Sequence, residues 1–157
     1  DAGEEIMNSI SNHLVDRSLW IIAILVNLLM IAIFLSRTVH WQGADRIIGI
    51  ALFILGLPVA GAVLWNAIGK RPWWTVVLPA LLIVFLIVEL LLDYILKLDF
   101  RSTALLGPYL GLYYLGLIGM VGYSFSVGKM EGFSALGVYF LNLLATWYSY
   151  SRVGHGT

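Results

Sequence analysis

Cysteine is absent from the 157-residue chain, so disulfides, thiol nucleophiles and thiolate metal sites are excluded. Charge is scarce: Asp, Glu, Lys and Arg make up 11% of the residues, where soluble domains carry about 25%. The 9 basic and 9 acidic side chains cancel, which leaves no basic face for nucleic acid. Histidine is confined to His13, His40 and His155, all outside the apolar segments. A haem held by two histidines within a bilayer, or an intramembrane zinc site, therefore has no ligands. No lysine sits in the middle of an apolar segment to carry a Schiff base, and HExxH, GxSxG and Walker-type patterns are missing. Enzymatic readings lose most of their support, and no cofactor or metal is implied.

What is present is apolar surface. The chain is 61% hydrophobic, with a mean hydropathy of +0.92, and no fold of this length could bury that much in water. The fold expected is all-α and integral to a membrane: a compact bundle of five transmembrane helices with short loops and an amphipathic N-terminal segment. Residues 1–17 carry Ile6, Ile10 and Leu14 at helical spacing among polar neighbours, the pattern of an interfacial helix. The transmembrane domain spans 18–151, with apolar runs at about 18–36, 47–68, 73–96, 105–127 and 133–151; 152–157 form a short tail. Each run approaches the roughly 20 residues that cross a hydrocarbon core. Pro58 is predicted to kink the second. The loops are short enough to make successive helices antiparallel neighbours.

Five crossings place the termini on opposite faces. Arg17, Lys70, Arg71 and Lys129 then share the amino-terminal face, against Arg37, Arg46, Lys97, Arg101 and Arg152 on the other. The balance leans towards an external amino terminus. Asp45–Arg46 and Asp99–Arg101 read as local interfacial ion pairs, which contribute little when exposed.

Ionisable residues inside apolar runs are rare and tend to mark pathways or ligand sites. In the third run Glu89, Asp93 and Lys97 recur every four residues, along one face of an α-helix. A rise of about 1.5 Å per residue places Glu89 roughly 24 Å across a core of about 30 Å, with Asp93 near its boundary. Tyr109 and Tyr148 reach a similar depth, whereas Asn27, Tyr113, Tyr114 and Asn142 fall near the midplane. Low dielectric disfavours the charged form of Glu89, and a tyrosine hydroxyl could hold either form. The competing reading pairs Asp93 with Lys97 and lets Glu89 reach water or Arg101. Asn27 and Asn142 either line a path or join helices by hydrogen bonds. Tyr113 and Tyr114, adjacent in sequence, are expected to face different ways, so that only one serves a given cavity. Gly107, Gly111, Gly116 and Gly119 give the fourth run the small surface that lets helices approach in lipid.

Three functions fit this pattern. The first is a small proton- or cation-linked transporter or channel working through Glu89. The second is a membrane binding module for a lipid or other hydrophobic ligand. The third is a non-catalytic assembly or partner subunit. The partners expected are membrane lipids and either a second copy of the chain or a membrane partner subunit.

Overall fold

A computed structural model describes residues 2–41, 43–98, 100 and 103–153. Asp99, Arg101 and His155 lie outside these residues, as does the Asp45 side chain. Among the described residues five long helices succeed one another: α1 (Ala2–Thr38), α2 (Ala44–Ile68), α3 (Trp74–Glu89), α4 (Leu106–Val127) and α5 (Lys129–Val153). The amphipathic amino-terminal segment is not separate from the first span. It forms the opening turns of α1, whose 37 residues rise about 55 Å, well beyond a hydrocarbon core.

Helices α1, α2 and α4, and α3 together with its continuation to Ile95, are long and apolar enough to cross a membrane. Helix α5 has the length, at 25 residues, but Asn142, Thr146, Ser149 and several tyrosines lower its hydropathy. Two of these side chains turn inward: Asn142 and Ser149 are buried. Outward, every helix presents large apolar groups, among them Leu25, Leu57, Val84, Leu115 and Leu144, each at least 40% exposed. An apolar belt of this extent suits hydrocarbon rather than water. The protein is a helical membrane protein.

Each helix packs on its sequence neighbours, and α5 returns to α1, so the five close into a ring with α1 also reaching α4 across it. The α3–α4 seam is the most extensive. Glycine permits it: a Cβ on Gly119 would stand 2.7 Å from the Leu78 carbonyl oxygen, and one on Gly116 would stand 3.3 Å from that of Leu81. Gly107 and Gly111 are exposed and face open space instead. The centre of the bundle is dry, with Leu19, Val26, Leu82, Phe85, Leu117 and Met120 at most 1% exposed.

Helix ends are set by backbone chemistry. At the end of α2 the Lys70 N–H donates to the Ala67 carbonyl and the Arg71 N–H to that of Asn66 (3.2 and 3.0 Å), with Lys70 left-handed at φ 50°. This is a Schellman closure, and α1 ends in the same way around His40 at φ 52°. Helix α2 runs unbroken through Pro58. Helix α3 continues into a π-helical turn, Leu90–Ile95, where the Leu96 N–H reaches back to Leu91 (2.8 Å). The expected common face of Glu89, Asp93 and Lys97 is not complete. Lys97 leaves it, because it lies past the helix end at φ 49°.

Candidate functional site

At the end of the bundle formed by the carboxyl ends of α1, α3 and α5 and the amino end of α4, the helices part. They leave a cavity of about 520 Å³. Met30, Ile33, Leu110 and Leu143 supply apolar wall, and Phe34, Tyr109, Tyr113, Tyr114, Trp147 and Tyr150 supply rings. Among the described residues its charged side chains are Glu89 from α3 and Arg37 from α1.

Glu89 closes α3 where the π-helical turn begins, and the Tyr109 hydroxyl of α4 donates to its Oε2. The depth match expected from the sequence is realised as a contact between antiparallel neighbours. Behind it stands a ladder of rings. Phe100 lies 4.7 Å from Tyr109, Phe85 lies 5.8 Å from Tyr109 and 5.4 Å from Tyr113, and Tyr114 lies 4.9 Å from Tyr113. These spacings suit edge and tilted ring contacts. Asp93 is part-buried and is not a lining residue.

The mid-depth polar residues form one network. Asn142 Nδ2 donates to the Tyr113 hydroxyl (2.9 Å) and to Asn27 Oδ1 (3.1 Å), while Asn27 Nδ2 donates to the Ala23 carbonyl (2.8 Å). Asn27 and Asn142 are fully buried and Tyr113 is 3% exposed. They join α1, α4 and α5 beneath the cavity, so Tyr113 belongs both to its wall and to the network under its floor. Two expectations change. Tyr113 and Tyr114 both line the cavity, because it sits on the α4–α5 seam and is wide enough to meet successive side chains. Tyr148 turns outward with Arg152 over its ring at 5.6 Å, and its neighbours Trp147 and Tyr150 line the wall instead.

The opposite end of the bundle carries a polar cluster that sequence reasoning missed. Arg71, in the loop between α2 and α3, grips Asp16 of α1 with both terminal nitrogens (2.8 and 2.9 Å). Asp16 also accepts from the Tyr123 hydroxyl (2.5 Å), and Arg71 donates to Asn66 Oδ1 (2.9 Å). The hydrogen bond to the Asp16 carboxylate holds the Arg71 pKa above its ordinary value, against the opposing effect of burial. Asn66 in turn donates to the Thr75 carbonyl (2.8 Å). That carbonyl lacks its usual intrahelical donor, because position 79 is proline. Asn66 is visible in the sequence as a polar residue near the end of an apolar run. The Asp16–Arg71 pairing, across 55 residues, needs the topology.

Among the described residues no group of three or more His, Asp or Glu could hold a metal, and no buried side-chain nitrogen or oxygen lacks a partner. No described protein family, curated protein or solved structure matches the chain detectably.

Proposed function

We propose that this membrane protein is a binding module for a hydrophobic ligand that carries a polar group, held in the cavity between α1, α3, α4 and α5. One observation carries the reading: a cavity of about 520 Å³ with apolar and aromatic walls and few charged groups. That volume falls in the range of small-molecule sites, about 300–1,000 Å³, and such sites combine apolar walls with a few placed polar groups. The Glu89–Tyr109 hydrogen bond supports it further, because it fixes one polar group in the wall.

The test is native mass spectrometry of the purified chain in a mild non-ionic detergent, beside a Leu110→Trp variant that fills the cavity. The expected result is lipid or a related small molecule retained by the wild type and lost from the variant. A wild type that retains nothing, or equal retention by both, overturns the reading.

A second reading, proton- or cation-linked transport, draws on the Glu89 carboxyl being placed within a span. It predicts that Glu89→Gln in proteoliposomes abolishes flux while the fold is retained. Flux that persists in that variant, or its absence from the wild type, removes it.

A further inference from the structure

One side chain belongs at once to the cavity wall and to the outer surface of the bundle. Trp147 lines the cavity between Leu143, one turn before it, and Tyr150, one turn after, yet it is 70% exposed. On α5 it also continues the outward stripe of Phe140 and Leu144, both exposed and at helical spacing. The Tyr113–Asn142 hydrogen bond sets the register of α4 against α5. Trp147, five residues past Asn142, therefore stands level with Pro108, five residues before Tyr113. The α4 edge at that level consists of Gly107 and Gly111, which share a helix face with the lining residue Tyr114 at i, i+4 and i+7. Both glycines are exposed, and a Cβ on either would meet open space. At the other end of the same seam the Phe125 ring lies directly against Gly132. The two helices touch there and part towards the cavity.

We infer that the cavity opens sideways into the bilayer, between Gly107 and Gly111 of α4 and Trp147 of α5, and draws its ligand from the lipid phase rather than from water. The inference rests on the binding reading and adds to it a route and a ligand class: a membrane-dissolved molecule whose apolar part passes between the two helices. Each methylene of such a molecule favours the bilayer about fourfold, so a ten-carbon chain is about a millionfold more concentrated there than in water. Trp147 stands six residues before Val153, about 9 Å from the end of α5. A ligand entering at that level keeps its polar group near the membrane surface while its chain crosses hydrocarbon, so no charge has to pass at depth.

The test uses the full chain in phosphatidylcholine vesicles and a long-chain alcohol with a photoreactive diazirine in its chain. Illumination at set times after the alcohol is added, followed by peptide mass spectrometry, reads the labelling of Met30 and Tyr113 in the cavity and of Leu57 outside. Met30 and Tyr113 are at most 5% exposed, so their labels come from a molecule inside, whereas Leu57 faces outward and reports the bilayer. Gly107→Trp and Gly111→Trp place a ring in the opening. Ile118→Trp places the same ring on an exposed position of α4 two turns past Gly111, as a control. Both opening variants should slow the labelling of Met30 and Tyr113 several-fold and leave its plateau and the labelling of Leu57 unchanged. Trp147→Ala should speed it, and Ile118→Trp should match the wild type. Leu110→Trp, which fills the cavity, should instead lower the plateau. Thermal melting separates a folding defect from either effect.

Equal loading rates in the wild type and both opening variants overturn the inference while the binding reading stands. Labelling of Met30 and Tyr113 at the same rate by a sulfonated, membrane-impermeant diazirine shows entry from water and also overturns it. A wild type whose cavity residues are never labelled by the alcohol removes the lateral route. If no lipid is retained on purification either, the binding reading falls with it.

Discussion

Replacing Asn66 by alanine should cost about 1 kcal/mol more in the wild type than in a chain where Pro79 is also alanine. Proline at position 79 has no N–H, so the Thr75 carbonyl one turn earlier loses its helical donor. In the dry seam between α2 and α3 that oxygen is met by Asn66 Nδ2 at 2.8 Å, from a side chain that is fully buried. Asn66→Ala leaves the carbonyl orphaned, and an unpaired buried acceptor costs about 1–3 kcal/mol. The lower end suits this site, since interhelical hydrogen bonds in membrane proteins average about 0.6 kcal/mol and reach about 1.7. The same substitution removes the acceptor that Arg71 uses at 2.9 Å, a charged hydrogen bond worth about 1.5–3 kcal/mol. The single variant should therefore lose about 2–4 kcal/mol.

In Pro79→Ala the restored N–H satisfies Thr75, so only the Arg71 share remains and the cost of Asn66→Ala falls by about 1 kcal/mol. The assay is a double-mutant cycle, with reversible unfolding in mixed micelles followed by tryptophan fluorescence. Independent sites add to within about 0.3–0.5 kcal/mol. A coupling inside that scatter would refute the idea that Asn66 compensates for Pro79.

Gly119→Ala should destabilise by about 1–3 kcal/mol, because its Cβ would meet the Leu78 carbonyl at 2.7 Å. Gly111→Ala, with open space around it, should be neutral or gain up to about 1 kcal/mol of helix propensity; equal melting of the two variants would contradict the α3–α4 packing. Lys70→Gly should stabilise by about 1 kcal/mol by relieving a left-handed residue at φ 50°, and a lower melting temperature in that variant would speak against the Schellman closure. Arg71 has a raised pKa, so its stabilising charge is complete below the unfolded-state value and is lost only as pH climbs through the higher folded value. Wild-type melting should thus owe no decline to Arg71 at about pH 9. Arg71→Lys should bring the loss down to the region above about pH 10.4, the ordinary lysine value. Parallel melting of the two proteins between about pH 9 and about pH 11 would refute this.

Much of the fold is legible in the sequence because each helix of a membrane bundle must satisfy its backbone internally, so run length alone nearly fixes the elements. Depth counting is informative for the same reason: antiparallel helices with tight loops share a common ruler, which matches Tyr109 with Glu89, and Asn27 with Tyr113 and Asn142. Rotation about a helix axis is not legible in that way. The helix that carries Glu89 and Asp93 ends before Lys97, which stands at φ 49°, so the i,i+4 spacing of Lys97 misleads. Depth points to Tyr148 as readily as to Trp147 or Tyr150, and only the phase of α5 decides among them. Arg37 reads as a loop charge and Asp16 as part of a polar tail. Their roles depend on which helices close the ring, and that contact between α1 and α5 is written in no local pattern.

The distribution of polar groups along α4 bears on binding against conduction. Tyr109 and Tyr113 serve the cavity, and Tyr123 serves the Asp16–Arg71 cluster. From Tyr113 to Tyr123 the helix rises about 15 Å. Over that distance the buried core includes Leu117, Met120, Leu19 and Val26, all essentially unexposed. Among the described residues Tyr139 of α5 brings a hydroxyl to that otherwise apolar layer, which is no continuous path for a hydrated ion or a proton, and placing charge there costs several kcal/mol. Conduction would thus demand a second arrangement in which α1 and α4 separate, against the clasp of Asp16, Arg71 and Tyr123 at the far end. Binding demands no such change: the cavity is already formed, and the Tyr113–Asn142–Asn27 network already closes its floor. Loosening the clasp with Asp16→Asn therefore separates the two readings. It should leave ligand retention intact if the cavity is a terminal site, and should alter flux if the cavity is one half of a path.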